Sequence, residues 1–253
     1  MSKHIFYLST DSPALLAAGE ALKSRGYGVV TRPCEAVTDI LLPVPSMEDA
    51  THLKGGLPLQ ELLERLPLSA AVMGGNLPPL PGRKVFDLLK DPTYLAANAS
   101  ITAYCAIRKA MLHLPVTLRG CPVLVIGWGR IGKCLSALLW ALEADVTVAA
   151  RKETDRAMAH ALGYKAVELD GLSAELNTFR IIYNTVPAPV LDAEAISHCR
   201  DHCLKIDLAS VLGIDSPDVI WARGLPGKDA PESSGKLIAK TVIRLLNKKE
   251  AKQ

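Results

Sequence analysis

Pro122-Val123-Leu124-Val125-Ile126-Gly127-Trp128-Gly129-Arg130-Ile131-Gly132 is the stretch that decides the fold. A strand-forming apolar run enters three glycines spaced G-x-G-x-x-G, and an amphipathic segment from Ile131 to Leu142 follows. The first glycine permits a tight turn, the second lets the backbone approach a pyrophosphate, and the third lets helix pack close on strand. Amide donors at the helix N-terminus then face the phosphates. With the next apolar run, Val146-Thr147-Val148-Ala149, the segment predicts strand, turn, helix and parallel strand within about thirty residues, a βαβ unit of dinucleotide-binding type. Gly127, Trp128, Gly129, Arg130, Ile131 and Gly132 are therefore the first candidates for a cofactor site.

The end of the second strand of such a unit selects the dinucleotide, because a carboxylate there suits a ribose 2′-hydroxyl and an arginine suits a 2′-phosphate. Here the chain reads Val148-Ala149-Ala150-Arg151-Lys152, with no acid before Glu153. Arg151 offers bidentate, charge-assisted bonds to phosphate and Lys152 adds charge. NADP is the expected cofactor.

Further strands are predicted at Arg180-Ile181-Ile182-Tyr183 and Lys205-Ile206-Asp207-Leu208. Asn184, Thr185, Val186 and Pro187 follow the first of these, where strand ends of a doubly wound sheet meet the ligand. They either border the nicotinamide and its ribose or make a simple strand-end turn. Asp207, Leu208, Ala209 and Ser210 end the second strand, so Asp207 either orients substrate and accepts a proton or ties down loop amides. Gly224 and Gly227 loosen the stretch from Trp221 to Lys228, which is read as a loop leading through Ala230-Pro231 into a last helix, Ser233 to Leu246.

Upstream, short apolar runs at Ile5 to Leu8, Tyr27 to Val30, Ile40 to Leu42, Ala70 to Met73 and Arg83 to Phe86 alternate with helical stretches at Ala14 to Ser24 and Pro58 to Leu66. This predicts a small open parallel sheet. Residues 74–82 are too rich in glycine and proline for either element. Alanine-rich Tyr94 to Leu112 reads as a long joining helix. The expected architecture is α/β, with a C-terminal Rossmann doubly wound parallel sheet and a smaller N-terminal flavodoxin-like lobe. Its expected boundaries are 1–93 for the N-terminal lobe, 94–117 for the linker helix, 118–232 for the NADP-binding domain, and 233–253 for a C-terminal helix packing back between the lobes, ending in a solvated tail.

Composition excludes other classes. The net charge is only +3, with Lys and Arg scattered, so the footprint of a nucleic-acid binder is missing. No apolar run approaches the ~20 residues that cross a bilayer, and the start lacks a long apolar h-region, so a cytoplasmic protein is expected. Six cysteines without an export signal read as reduced thiols. In His198-Cys199-Arg200-Asp201-His202-Cys203 the i,i+4 repeats would put like residues on one helical face, but the spacing suits a closed tetrahedral site poorly and no metal is expected. His4, His52, His113 and His160 read as structural.

Several motifs, in order, resemble the dipicolinate synthase A-subunit family: Ile40-Leu41-Leu42-Pro43-Val44, Asn98 with Thr102, the glycine turn, Ala150-Arg151, Asn184-Thr185-Val186-Pro187, Asp207-Leu208-Ala209-Ser210, and Gly224-Leu225-Pro226-Gly227 with Ala230-Pro231. The resemblance implies oxidation of a dihydrodipicolinate-type ring, or its hydrated precursor, with hydride passing to NADP⁺. It further implies a small dicarboxylate substrate and a flavoprotein-like second subunit, while a homo-oligomer is expected as the usual default for such proteins. Substrate contacts are expected from Pro43, Val44, Asn98, Thr102, Arg223 and Lys228, catalytic roles from Asp207 and Thr102, and cofactor contacts also from Ala209, Gly224, Leu225 and Pro226. The chain departs from the family pattern in three places. Ser9-Thr10-Asp11 replaces a glycine-rich turn with only Asp11 retained, Thr102 is followed by Ala103-Tyr104-Cys105 where the family pattern is Thr-x-Glu-Gly, and Val211-Leu212-Gly213-Ile214 replaces Arg-Pro-Gly-Gly. Two other readings stay open: another two-lobe NADP-dependent oxidoreductase of a hydroxy or keto acid, and a non-catalytic NADP-binding regulatory or scaffold subunit.

Overall fold

The computed structural model describes residues 4–10 and 12–250, with side chains to residue 247. The readings placed on the first three residues, on Asp11 and on the tail from Lys248 lie outside the described side chains. In chain order the elements are β1 (Ile5–Leu8), α1 (Pro13–Lys23), β2 (Gly28–Val30), β3 (Asp39–Leu41), α2 (Leu59–Glu64), β4 (Ala71–Gly74), β5 (Val85–Asp87), α3 (Pro92–Met111), β6 (Pro122–Ile126), α4 (Arg130–Ala141), β7 (Asp145–Ala149), α5 (Glu153–Ala161), β8 (Lys165–Val167), β9 (Ile181–Asn184), α6 (Ala193–Ser197), β10 (Leu204–Asp207), β11 (Ile220–Trp221), α7 (Leu225–Asp229) and α8 (Pro231–Glu250). They form two compact units, one of residues 1–98 with 226–253 and one of residues 99–225. No helix among the described residues is long and apolar enough to cross a membrane.

The first unit holds a parallel five-stranded sheet in the order β2-β1-β3-β4-β5, the flavodoxin-like order. β3 and β4 are buried along their whole length, as expected of strands covered on both faces. α1 opens with Pro13 in its first turn and buries Leu15, Ala18, Gly19 and Leu22, spaced to make one stripe. Against that stripe lies α8, whose Ile238, Ala239, Val242 and Leu246 join Phe6, Leu41 and Met73 in one core. Gly235 lets the two helices approach: a Cβ there would press into the Ala14 carbonyl and the Ala18 nitrogen.

In the second unit all six strands are parallel, ordered β11-β10-β9-β6-β7-β8. Numbered from β6, this is the doubly wound order of a Rossmann sheet, and it reverses between β6 and β9. Leu124, Ile126 and Ile182 from the central strands pack on Leu172, Leu176 and Phe179.

Two local expectations change. The stretch read as a loop from Trp221 to Lys228 contains a helical turn, α7, because Gly224 turns the chain at φ +68° and Pro226 then sits in the first turn, where its missing N–H costs nothing. Residues 198–203 do not share a helical face: α6 stops at Ser197, and the chain reverses through His202, at φ +59°, to enter β10.

Candidate nucleotide site

The glycine turn occupies the carboxyl end of β6, beside the point where strand order reverses. Gly127 has φ +103°, a conformation that L side chains rarely adopt, so the turn depends on glycine at this position. A Cβ on Gly132 would overlap the Gly127 carbonyl oxygen, whereas one on Gly129 would meet nothing within 4 Å. The turn is thus closed underneath and open above. α4 begins directly after Gly129, and no side chain caps it, so its first N–H groups remain available as anion donors. The Trp128 ring is buried and meets Tyr164 edge-on at 5.6 Å. Ile131 is half-buried, and Arg130 is exposed at the helix start.

Arg151 and Lys152 follow β7, both exposed and both without an ion pair among the described residues. The sequence reading missed Arg156. Its guanidinium donates to the carbonyls of Ala150 and Arg151 at 3.0 and 2.8 Å and pairs with Glu168 at 3.3 Å, which fixes the backbone that presents Arg151. The donor set fits a dinucleotide: uncapped helix amides over an open glycine turn, with two unneutralised cations at the next strand end.

Asn184 ends β9 and is fully buried. Its Oδ1 accepts from Val186 N–H at 2.9 Å, and its Nδ2 donates to the Val186 carbonyl at 3.0 Å and to Asp207 at 2.9 Å. Thr185 donates its hydroxyl to the Ile126 carbonyl at 2.9 Å, which ties this turn to the glycine turn, and Pro187 is exposed. Asp207 is likewise fully buried and also accepts from the N–H of Ala209 and Gly213. The second unit therefore brings the glycine turn, Asn184 to Pro187 and Asp207 to Ala209 to the same edge of one sheet.

Arg223 stacks over Trp221 at 5.1 Å, and the Trp221 indole donates to the Ala209 carbonyl at 3.0 Å. Gly224 is exposed, while Leu225 is buried in α7. Thr102 is buried on α3. In the first unit, Pro43 and Val44 leave β3 half-buried, and Ser46 holds their loop by donating its hydroxyl to the Pro43 carbonyl and accepting from Gly75 N–H. Asn98 is half-buried on α3, Pro226 is buried and Lys228 is exposed on α7. Cys199 and Cys203 sit side by side, and burial pushes the Cys203 thiol up to about 12. Among the described residues no three His, Cys, Asp or Glu side chains gather as a metal site.

No family model matches the chain. The dipicolinate synthase A-subunit of Bacillus subtilis (strain 168) is 27% identical over 209 residues, which cover 77% of this chain and 70% of that protein. The resemblance is to the A-subunit of dipicolinate synthase. The solved structure of the dipicolinate synthase A-subunit from Bacillus halodurans matches with a TM-score of 0.83 at 24% identity, covering 96% of this chain and 97% of that one. A transhydrogenase from Sinorhizobium meliloti shares the fold at a TM-score of 0.71 and 15% identity, covering 95% of this chain and 93% of its own. The chain holds two parallel sheets, and the nucleotide-type turn belongs to the second.

Proposed function

We propose that the chain is an NADP-dependent oxidoreductase of the dipicolinate synthase type, which oxidises a dihydrodipicolinate-type ring, or its hydrated precursor, to pyridine-2,6-dicarboxylate. The observation that carries this reading is the uncapped N-terminus of α4 above an open glycine turn, flanked by unneutralised Arg151 and Lys152. The relative in Bacillus subtilis supports the substrate class, through likeness over most of the chain.

Bound NADP⁺ supplies the hydride acceptor. The α4 amides would hold its pyrophosphate, and Arg151 with Lys152 would hold its 2′-phosphate. Within the second unit, Arg223 offers a cationic donor of the kind a dicarboxylate requires, and Thr102 is a further proposed contact. Aromatisation provides driving force, so alignment of ring and nicotinamide is the main demand on the protein. Asp207, whose oxygens are taken by three protein donors, is assigned no proton-transfer step. We place a homo-oligomer and a second synthase subunit within the same reading.

A second reading, a nucleotide-binding subunit without turnover, is favoured by Tyr104 and Val211. These are 62% and 51% exposed and stand where the resemblance implies a glutamate and an arginine. One assay separates the two. Purified chain, alone and with the second subunit, is mixed with NADP⁺ and the dihydropyridine dicarboxylate, and reduced nicotinamide is followed by absorbance. Substrate-dependent reduction supports the synthase; nucleotide binding with no reduction in either mixture overturns it in favour of the subunit.

A further inference from the structure

Burying a carboxylate is costly unless donors surround it. Asp207 has three. Oδ1 accepts from Ala209 N–H at 2.9 Å, and Oδ2 accepts from the Asn184 amide at 2.9 Å and from Gly213 N–H at 2.8 Å. These donors belong to two different strand-end loops. Asn184 closes the turn it begins by bonding both polar groups of Val186. Gly213 takes the far end of that same loop, its carbonyl accepting from Val190 and Leu191 N–H at 2.8 and 3.0 Å. Residues 186–191 are therefore gripped at both ends from one carboxylate.

The geometry leaves no slack. A Cβ at position 213 would run into the Ala188 carbonyl oxygen and the Asn184 amide. The exposed tip, Pro187-Ala188-Pro189, carries two prolines whose φ is already set. On its inner side the loop touches the glycine turn, since a Cβ at Gly127 would overlap the Thr185 hydroxyl and lie 2.9 Å from a Val186 methyl.

We propose that Asp207 is a positioning residue: through Asn184 and Gly213 it staples residues 186–191, so that this loop stands preformed against the glycine turn as the rim of the nicotinamide end. The proposal rests on the nucleotide-binding reading above. A rim ordered in advance lowers the ordering cost of binding. Its chemistry is that of an acceptor held by amides, none of which gives up a proton at neutral pH.

The test uses the full chain and the variants Asp207→Ala, Asp207→Asn and Gly213→Ala. Hydrogen exchange is read at the Val190, Leu191 and Gly213 amides, and NADP⁺ affinity is read by titration. Asp207→Ala and Gly213→Ala are expected to lose protection in residues 186–191 and to weaken NADP⁺ by about 10- to 100-fold, while the amides of β6 and β7 stay protected. Asp207→Asn keeps the side-chain shape where alanine unfolds the unit, and it is expected to weaken NADP⁺ as well, because its amide NH2 would face N–H donors where Asp207 offers only acceptors. The proposal is overturned if Gly213→Ala matches the unaltered chain in both readouts. It is also overturned if Asp207→Asn keeps its affinity but removes a limb of the kcat pH profile, the mark of a proton carrier. Should the unaltered chain bind no nucleotide, the functional reading fails by itself and the exchange pattern decides the staple.

Discussion

At Arg151 the engaged group is the carbonyl, held by Arg156, while the guanidinium is left to solvent. A cation presented in this way discriminates by its charge, so Arg151→Ala is expected to weaken NADP⁺ by about 10- to 100-fold and to leave NAD⁺ within about twofold, measured by parallel titrations. Arg156→Ala should reproduce part of that loss without touching nucleotide. Arg151 was legible in the sequence because its position after the second strand carries meaning. Arg156 was not, because its partners are main-chain carbonyls that become acceptors only once β7 turns into α5. Asp207 was half legible: its place at a strand end showed, but its three donors come from residues 184, 209 and 213, which only the fold assembles. Cys203 offers a separate test. Burial, the largest cause, raises its folded pKa to about 12. The unfolded thiol ionises first as pH rises, so the stability it contributes is whole below the ordinary thiol range and declines from there towards about 12. Between pH 8 and 9, a range set by the ordinary thiol pKa of ~8.5, a thiol reagent should modify exposed Cys34 quickly and Cys203 only at the rate of unfolding, read by mass spectrometry.

Among elements, those marked by an apolar run were readable, including the three-residue β2, β3 and β5. β6, α4 and β7 each declare themselves through apolar spacing, whereas β8 opens on a lysine and is nowhere fully buried, and β11 spans only two residues. α7 was hidden by its own glycine and proline, which read as loop-forming until Pro226 is seen to occupy a first turn, where a proline fits. The α1 and α8 pair depends on a feature no local pattern reveals, the absence of a side chain at Gly235 where the helices meet. Gly235→Ala should therefore destabilise the chain by about 1–3 kcal/mol, despite alanine's better helix propensity, as a lower urea midpoint with unchanged slope. A stabilised variant would show that the helices separate at little cost.

Across the whole molecule, the alternation of strands and helices was enough to predict two parallel sheets, and both strand orders follow the doubly wound pattern. What the sequence did not disclose is how the chain is shared between the units, since α8 reads locally like any amphipathic helix. Nucleotide bound to the second unit should act by mass action. At a hundredfold excess over its Kd, NADP⁺ is expected to add about 2.7 kcal/mol to the unfolding of the unit that holds it, and calorimetry should show the shift shrinking in Arg151→Ala at the same concentration.

The first unit is assembled from two separate lengths of chain, 1–98 and 226–253. During synthesis, residues 5–87 leave the ribosome with the apolar side of α1 still waiting for Ile238, Ala239, Val242 and Leu246. The whole of 99–225 must be translated before those partners arrive. The nucleotide-type sheet, later in sequence but continuous, can close on itself first, so a nascent chain stalled after Leu225 should acquire protease resistance in the second unit while the first remains cleavable. Birth order and folding order of the two units are then opposite, and residues 5–87, made before the second unit, are protected after it.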